Sequence, residues 1–276
     1  MEACFFGLVI FVFGLIIGSF LNCLIYRIEA GESFLRGRSY CPQCKHVLGS
    51  DDLIPVLSFL LLRGRCRYCK AKISWQYPLV ELATGLLFVS VYLLLGFKEY
   101  SSFGFWIFDF LYYLVVLSIL LVIFVYDLKH YIIPDRVIYP AIFLVFVYNI
   151  IKVWSLSNFS FKLDAFDSLM PSLFSAYFAA LPFFLIVVGS KERWMGMGDV
   201  KLVFLMGLFF SFPNILIALN LSFFIGSLIG LLLIFLGKKK MSSEIPFGPF
   251  LVLGTYLALF FGLWIIDWYL GLFLVK

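Results

Sequence analysis

The chain has 276 residues, of which 63% are hydrophobic, 20% are aromatic and only 13% are charged, and its mean hydropathy is +1.06. A water-soluble domain of this length could not bury so much apolar surface, so the composition excludes an ordinary soluble protein and indicates a polytopic membrane protein. The formal net charge of +5 does not indicate nucleic-acid binding, because no ladder of basic and aromatic residues accompanies it.

Apolar runs predict an all-α fold with about eight transmembrane helices, since about 20 apolar residues cross a bilayer. No internal repeat, low-complexity tract or heptad pattern interrupts these runs. The sixth predicted span is the shortest. In chain order the spans cover approximately 3–26, 78–96, 103–125, 137–153, 171–189, 199–211, 214–236 and 246–272.

Basic residues are concentrated in alternate loops, which predicts the orientation of the helices. The basic loops are 27–77, 127–136, 190–201 and 237–244. The intervening loops, at 97–102, 154–170 and 211–214, carry only Lys98 and Lys162. Because loops rich in lysine and arginine stay in the cytoplasm, both termini are expected outside and the four basic loops inside.

The first loop, 27–77, contains four cysteines in two C-x-x-C pairs, C-P-Q-C and C-R-Y-C. A loop of this size cannot fold on a hydrophobic core alone. Two such turns, each supplying two thiolates, form the tetrahedral site that structural zinc prefers. The spacing therefore predicts a small zinc-ribbon-like module between the first two transmembrane helices, with the ligands Cys41, Cys44, Cys66 and Cys69.

Disulfides or redox-active dithiols are the alternative explanation for these four cysteines. The predicted topology argues against them, because the loop faces the reducing cytosol, where structural disulfides are rare. A catalytic zinc is not expected either, since four cysteines leave no open coordination position.

Two aspartates lie where predicted transmembrane helices meet the cytoplasm. Asp127 ends the third span and Asp199 opens the sixth, within the sequence G-M-G-D-V-K. Two neighbouring carboxylates can share a proton, so that one activates water while the other polarises a peptide carbonyl. The helix dipole favours an anion at Asp199, and Gly196 and Gly198 are expected to permit unusual dihedrals and close approach of a substrate strand.

Other roles for these acids are compatible with the residues alone. Each carboxylate could cap a helix or lie at the membrane interface, and a cap is the preferred interpretation of Asp135. Carboxylates inside a membrane also line ion or proton paths. The spacing does not separate proteolysis from such a path.

Several separate motifs make the chain resemble the bacterial type IV prepilin peptidases, intramembrane aspartyl proteases with a G-x-G-D motif. The resemblance covers almost the whole chain. The matching segments are GSFLNCLIYR at 18–27, the cysteine segment at 38–85, YDLKHYIIPD at 126–135, GMGDVK at 196–201 and PFGPFLVLG at 246–254.

The resemblance implies that Asp127 and Asp199 are the catalytic pair, supported by Gly196, Gly198 and Lys201. The implied substrates are type IV prepilins and type II secretion pseudopilins, which lose a short basic leader at the cytoplasmic face. Many members then methylate the new N-terminal residue with S-adenosylmethionine. Peptidase-only relatives commonly lack the cysteine module, which is intact here. No residue is assigned to the methyl donor.

The sequence leaves three alternatives to this implied function. A peptidase without methyltransferase activity is one. A transporter is another, although it would predict inverted repeats and broken helices near the membrane midplane. A zinc-dependent scaffold is the third. The expected domain division is a first helix at 1–26, a zinc module at 27–77 and a peptidase bundle at 78–276.

Overall fold

The computed structural model describes residues 2–33, 37–96, 103–156, 163–238 and 244–274. Nine α-helices and one short 3-10 turn, Ser50–Asp52, form within these residues. The helices are α1 (Glu2–Ala30), α2 (Leu57–Leu61), α3 (Gln76–Leu95), α4 (Phe103–His130), α5 (Asp135–Leu156), α6 (Leu163–Ser190), α7 (Met197–Phe209), α8 (Asn214–Phe235) and α9 (Gly248–Leu274).

Seven of the described helices are long and apolar enough to cross a membrane, which confirms the predicted all-α membrane architecture. The sixth predicted span corresponds to α7, which has only 13 residues and falls below that length. The loop at 97–102 with Lys98, part of 154–170 with Lys162, and part of 237–244 lie outside the described residues.

The first helix continues past the predicted end at residue 26. Arg27 lies in its last turn and is only 6% exposed. Its guanidinium donates hydrogen bonds to the carbonyl oxygens of Ser33 (3.2 Å) and Gly37 (2.9 Å), which compensates the burial of its charge. The hydropathy pattern predicts that the helix ends before Arg27. The structure extends it to Ala30, with the charge of Arg27 satisfied by these hydrogen bonds.

Two compact units divide the described chain, Met1–Val122 and Ile123–Lys276, with the division inside α4. In the first unit, α1 packs closely against α3 through small residues. A Cβ atom at Gly14 would lie 2.7 Å from the Cα atom of Gly85, and one at Gly18 would lie 2.6 Å from the Cα atom of Glu81. Small residues at such positions let membrane helices pack backbone against backbone.

In the second unit, the short helix α7 packs against α6, α5 and α9. Its C-terminal carbonyl groups are satisfied by side chains of the neighbouring helices. The Ser175 hydroxyl donates to the carbonyl oxygen of Phe210 (2.8 Å), and the Asn149 amide donates to that of Leu208 (2.9 Å). These bonds replace the intrahelical partners that the end of a helix lacks, and they fix α7 in the second unit.

Candidate active site and cysteine centre

Asp127 is a buried carboxylate in the last turn of α4. Its side chain is 4% exposed, and its Oδ2 atom has no hydrogen-bond partner among the described residues. The backbone leaves the helix just beyond it, where Tyr131 takes a φ of 57° and its N–H donates to the Asp127 carbonyl oxygen at 2.9 Å. A buried polar atom without a partner is uncommon and marks a position with a role beyond packing.

Helix α7 begins at Met197, two residues before the predicted start of the sixth span, so Asp199 lies in its first turn. Gly196 is the N-cap residue, and its carbonyl oxygen accepts a hydrogen bond from the Asp199 N–H at 3.2 Å. The negative charge of Asp127 repels the half-buried carboxylate of Asp199 electrostatically. The structure therefore brings the two predicted aspartates into electrostatic interaction within one unit.

Ile133 and Gly248 complete this cluster, and neither was singled out from the sequence. A Cβ atom added to Gly248, the first residue of α9, would lie 2.5 Å from Oδ2 of Asp127 and 3.3 Å from Cδ1 of Ile133. A Cβ atom at Gly198 would lie 3.0 Å from Cβ of Ile133. Ile133, which is 6% exposed, thus packs between the segment of Asp199 and the start of α9.

The two glycines before Asp199 do not take the unusual dihedrals expected of them. Gly196 is extended, with φ of −81° and ψ of 153°, and Gly198 lies within α7. A Cβ atom at Gly196 would meet only the backbone nitrogen of Gly198, at 3.9 Å. The expectation of unusual dihedrals is therefore wrong for both glycines. Gly198 instead has a steric role, because a side chain at this position would crowd Ile133.

Lys201 forms an ion pair on the next turn of α7. Its Nζ atom lies 2.6 Å from Oδ1 of Asp135, the first residue of α5, and 4.8 Å from the centre of the Tyr139 ring. The side chain of Asp135 is 60% exposed, so the pair contributes only about 0–1 kcal/mol to stability. Lys201 therefore links the Asp199 segment to the start of α5, where Asp135 is the first helical residue, with its carboxylate on Lys201 rather than on a capping N–H group.

The four predicted zinc ligands converge in the first unit. The sulfur atoms of Cys41, Cys44, Cys66 and Cys69 all lie within 4.8 Å of one another. The Sγ atoms of Cys41 and Cys69 are 3.8 Å apart. Zinc–sulfur bonds of about 2.3 Å in a tetrahedron require sulfur–sulfur distances of about 3.8 Å, so the four thiols fit this ion.

Both C-x-x-C segments adopt the same turn. Lys45 and Lys70, the residues after each pair, have φ of 57° and 62°, and their N–H groups donate to the carbonyl oxygens of Cys41 and Cys66. Isolated β-bridges flank the turns, Tyr40 with Val47 and Arg65 with Lys72. This repeated geometry, rather than extended strands, positions the thiols in the described part of the module.

Backbone N–H groups also point toward the sulfur atoms. The N–H of Cys69 donates toward the Cys66 thiol, and that bond lowers the thiol pKa to about 7 despite its burial. Since zinc binds the thiolate, an amide directed at the sulfur favours the metal-binding form.

Glu81 attaches the cysteine module to α3, and Asn22 joins α1 to the first turn of α3. Oε2 of Glu81 accepts a hydrogen bond from the backbone N–H of Val56 at 2.8 Å. Asn22, only 2% exposed, donates to the carbonyl oxygen of Tyr77 at 3.0 Å and accepts from the side-chain amide of Gln76 at 3.2 Å. A polar residue in an apolar span is the sequence signal for both, but its partner cannot be identified from the sequence.

Two family models match the chain. The bacterial peptidase A24 N-terminal domain matches residues 12–95, which include the cysteine module, and the type IV leader peptidase family matches residues 114–231, which include both aspartates. No solved structure matches the chain significantly.

Curated relatives carry one description, "Prepilin leader peptidase/N-methyltransferase". The relative from Aeromonas hydrophila is 34% identical over 98% of this chain and 95% of its own length. Those from Legionella pneumophila and Bacillus subtilis (strain 168) are 31% and 29% identical, over 97% and 95% of this chain and 95% and 97% of their own lengths. With an intact cysteine centre, two interacting aspartates and similarity along nearly its entire length, the chain belongs to the type IV leader peptidase family.

Proposed function

We propose that the chain removes the basic leader peptide from type IV prepilins and type II secretion pseudopilins, with Asp127 and Asp199 as its catalytic pair. The observation that carries this proposal is the buried Oδ2 atom of Asp127, which has no hydrogen-bond partner among the described residues and whose carboxylate interacts with that of Asp199. Family membership supports the same activity.

The geometry supports general acid–base proteolysis without a metal or a covalent intermediate. Two carboxylates that repel each other share one proton at low cost, which leaves one as a base for water and the other as a hydrogen-bond donor to the scissile carbonyl. Gly248 and Ile133 pack beside the pair and fix the position of Asp127. Because the prepilin helix lies in the same membrane, its scissile bond arrives already oriented at the site.

Methylation of the new N-terminal residue is the second proposed activity. The shared description of the relatives supports it, as does the intact cysteine module. S-adenosylmethionine would supply the methyl group when bound. No residue of the described chain is assigned to hold it.

We further propose that the cysteine centre holds one structural zinc ion. The fit of the four sulfur atoms to a tetrahedron supports this, and the metal would provide most of the folding free energy of a module without its own core. The corresponding domain division is the first helix at 1–26, the zinc module at 27–77 and the peptidase bundle at 78–276.

The chain is a multi-pass bacterial inner-membrane protein, with seven helices of membrane-spanning length among those described. We propose that the short helix α7 is an eighth crossing, so that both termini lie outside and the aspartates lie at the cytoplasmic face. The basic loops support this orientation, because lysine and arginine are retained on the cytoplasmic side.

A direct assay tests the two activities together. The purified protein is incubated in detergent with a prepilin and S-adenosylmethionine, and the product is analysed by mass spectrometry. We expect loss of the leader and gain of the mass of one methyl group at the new N-terminus. An intact prepilin after incubation with folded, metal-loaded protein would overturn the proposed peptidase activity.

Elemental analysis tests the metal. We expect about one zinc per chain in the purified protein, and loss of that zinc on prolonged treatment with a strong chelator, because all four ligands are needed to hold the ion. Purified protein without metal, with its module thiols oxidised in pairs, would instead establish disulfides.

The substitution Gly248→Ala tests the packing beside Asp127. The new methyl group would lie 2.5 Å from Oδ2, so the carboxylate must move, and we expect prepilin cleavage to slow by about 100-fold. Gly271→Ala is the matched control in the same helix, because a Cβ atom there meets nothing within 4 Å. Cleavage rates are compared for variants with equal thermal stability, and equal rates for both would contradict the proposed positioning.

A further inference from the structure

Helix α2 of the cysteine module begins beside the N-terminal turns of the membrane-spanning helix α3. The N–H of Val56, the N-cap residue of α2, donates to Oε2 of Glu81 at 2.8 Å. Glu81 is the sixth residue of α3, so it lies about 7.5 Å along that helix at 1.5 Å per residue. The start of α2 is therefore held close to the N-terminal end of this span rather than far from it in the aqueous phase.

An aromatic contact places the middle of α2 beside the start of α3. The rings of Phe59 and Trp75 are 4.9 Å apart, and Trp75 directly precedes α3. The Trp75 side chain is 68% exposed. An exposed tryptophan at the end of a transmembrane helix is typical of the membrane–water interface.

The outer face of α2 is apolar and uncovered. Leu57, Leu60 and Leu61 recur with helical spacing and are 57%, 60% and 80% exposed. A five-residue helix is not stable in water by itself, and three adjacent exposed leucines are unfavourable there. A helix with such a face is stable when the face enters the acyl-chain boundary of a bilayer.

Cationic side chains border this apolar face. A cavity of about 490 Å³ is lined by Leu61, Leu62, Arg63, Arg65, Cys66 and Lys70. Arg67, by contrast, lies 2.7 Å from Asp52 and is already paired. The three lining cations thus form a positive rim beside the exposed leucines of α2. This positive charge is complementary to the charge of an anionic lipid headgroup.

We propose that α2 is an interfacial helix that docks the cysteine module onto anionic phospholipid. Leu57, Leu60 and Leu61 enter the acyl-chain boundary, and Arg63, Arg65 and Lys70 bind the headgroup phosphate. The basic leader of a prepilin does not fit this rim, because like charges repel. The proposal concerns the lipid contact of the module and does not depend on the proposed peptidase activity.

Amide hydrogen exchange tests the docking in the full-length protein. The protein is reconstituted in nanodiscs of phosphatidylcholine alone, or of phosphatidylcholine and phosphatidylglycerol in equal parts, and exchange is measured for residues 57–63. Since one cation near an anionic surface strengthens membrane attraction by about fivefold, we expect exchange to be at least about fivefold slower with phosphatidylglycerol.

Charge variants distinguish the lipid from other anions. We expect the combined variant Arg63→Gln, Arg65→Gln and Lys70→Gln to lose the protection, and Lys72→Gln, a module cation outside the cavity lining, to keep it. The metal content of each variant, measured in parallel, verifies that the module is folded.

Three results would overturn the proposal. Equal exchange in the two nanodiscs would show that α2 does not sense lipid charge. Equal protection by inorganic phosphate in phosphatidylcholine nanodiscs would identify a site for free phosphate, and protection by an added prepilin without phosphatidylglycerol would identify a substrate surface. A photoreactive acyl chain on phosphatidylglycerol should cross-link to 57–61, and its failure to do so in the folded protein would also contradict the docking.

Discussion

Asp127→Asn and Asp199→Asn should each slow prepilin cleavage by about 100- to 10,000-fold, the usual contribution of general acid–base catalysis. An asparagine keeps the shape of the side chain but cannot exchange the proton that the pair shares. Neither change should unfold the protein, because asparagine has nearly the same volume and keeps an oxygen that can accept the backbone hydrogen bonds from Gly248 to residue 127 and from Gly196 to residue 199. Cleavage rates in detergent, with thermal unfolding of the same samples, provide the measurement.

Asp135→Asn is the matched control for both variants. This aspartate lies eight residues after Asp127, but its side chain is 60% exposed and pairs with Lys201. We expect cleavage within about twofold of the unchanged protein, since an exposed ion pair contributes little. If Asp127→Asn or Asp199→Asn retained a rate similar to that of the control, the assignment of the catalytic pair would be wrong.

Cys41→Ser and Cys69→Ser should reduce methylation more than proteolysis. Each change removes one of the four proposed metal ligands. Because binding of structural zinc is worth about 10–16 kcal/mol in small zinc modules, we expect loss of a ligand to unfold the module locally. The two aspartates lie in the other compact unit, whose helices have their own packing. The quantity to measure is the ratio of methylated to unmethylated mature pilin at matched enzyme levels.

Cys23→Ser is the control for these two variants, because Cys23 lies in α1 and is not part of the sulfur cluster. It should leave the methylation ratio and the zinc content unchanged. If proteolysis and methylation fell in parallel in Cys41→Ser and Cys69→Ser, the module would support the peptidase site, and the proposed separation of the activities would fail.

Hydropathy predicted the long helices because an apolar run of sufficient length has few alternatives to a membrane span. It missed α2, whose leucines lie in a loop that contains many charges. The sequence from Leu53 to Leu62 is apolar but too short to span a membrane. Only the hydrogen bond from the Val56 N–H to Glu81 shows that this segment lies against α3. Short apolar segments of this kind are positioned by tertiary contacts, which the hydropathy pattern does not contain.

The two aspartates could be singled out because a carboxylate in apolar sequence is costly and therefore conspicuous, whereas their pairing as catalytic residues was implied by the family resemblance. Ile133 and Gly248 could not be singled out, since an isoleucine and a glycine are ordinary residues in a membrane protein. Gly248 is 121 positions after Asp127 in the chain, and its proximity to the carboxylate follows from helix packing alone. Residues that act by shape rather than by charge carry no local signal of their partners.

The shortness of α7 has a consequence for the supply of water. Its 13 residues extend about 20 Å, whereas the hydrocarbon core is about 30 Å thick, so α7, as the proposed eighth crossing, is about 10 Å too short. Thinning of the bilayer or a hydrated vestibule within the protein has to make up this length. Asp199 lies at one of these ends, where hydrolysis consumes water. The acyl-chain length of the host membrane should therefore influence the rate of hydrolysis through hydration, independently of substrate affinity.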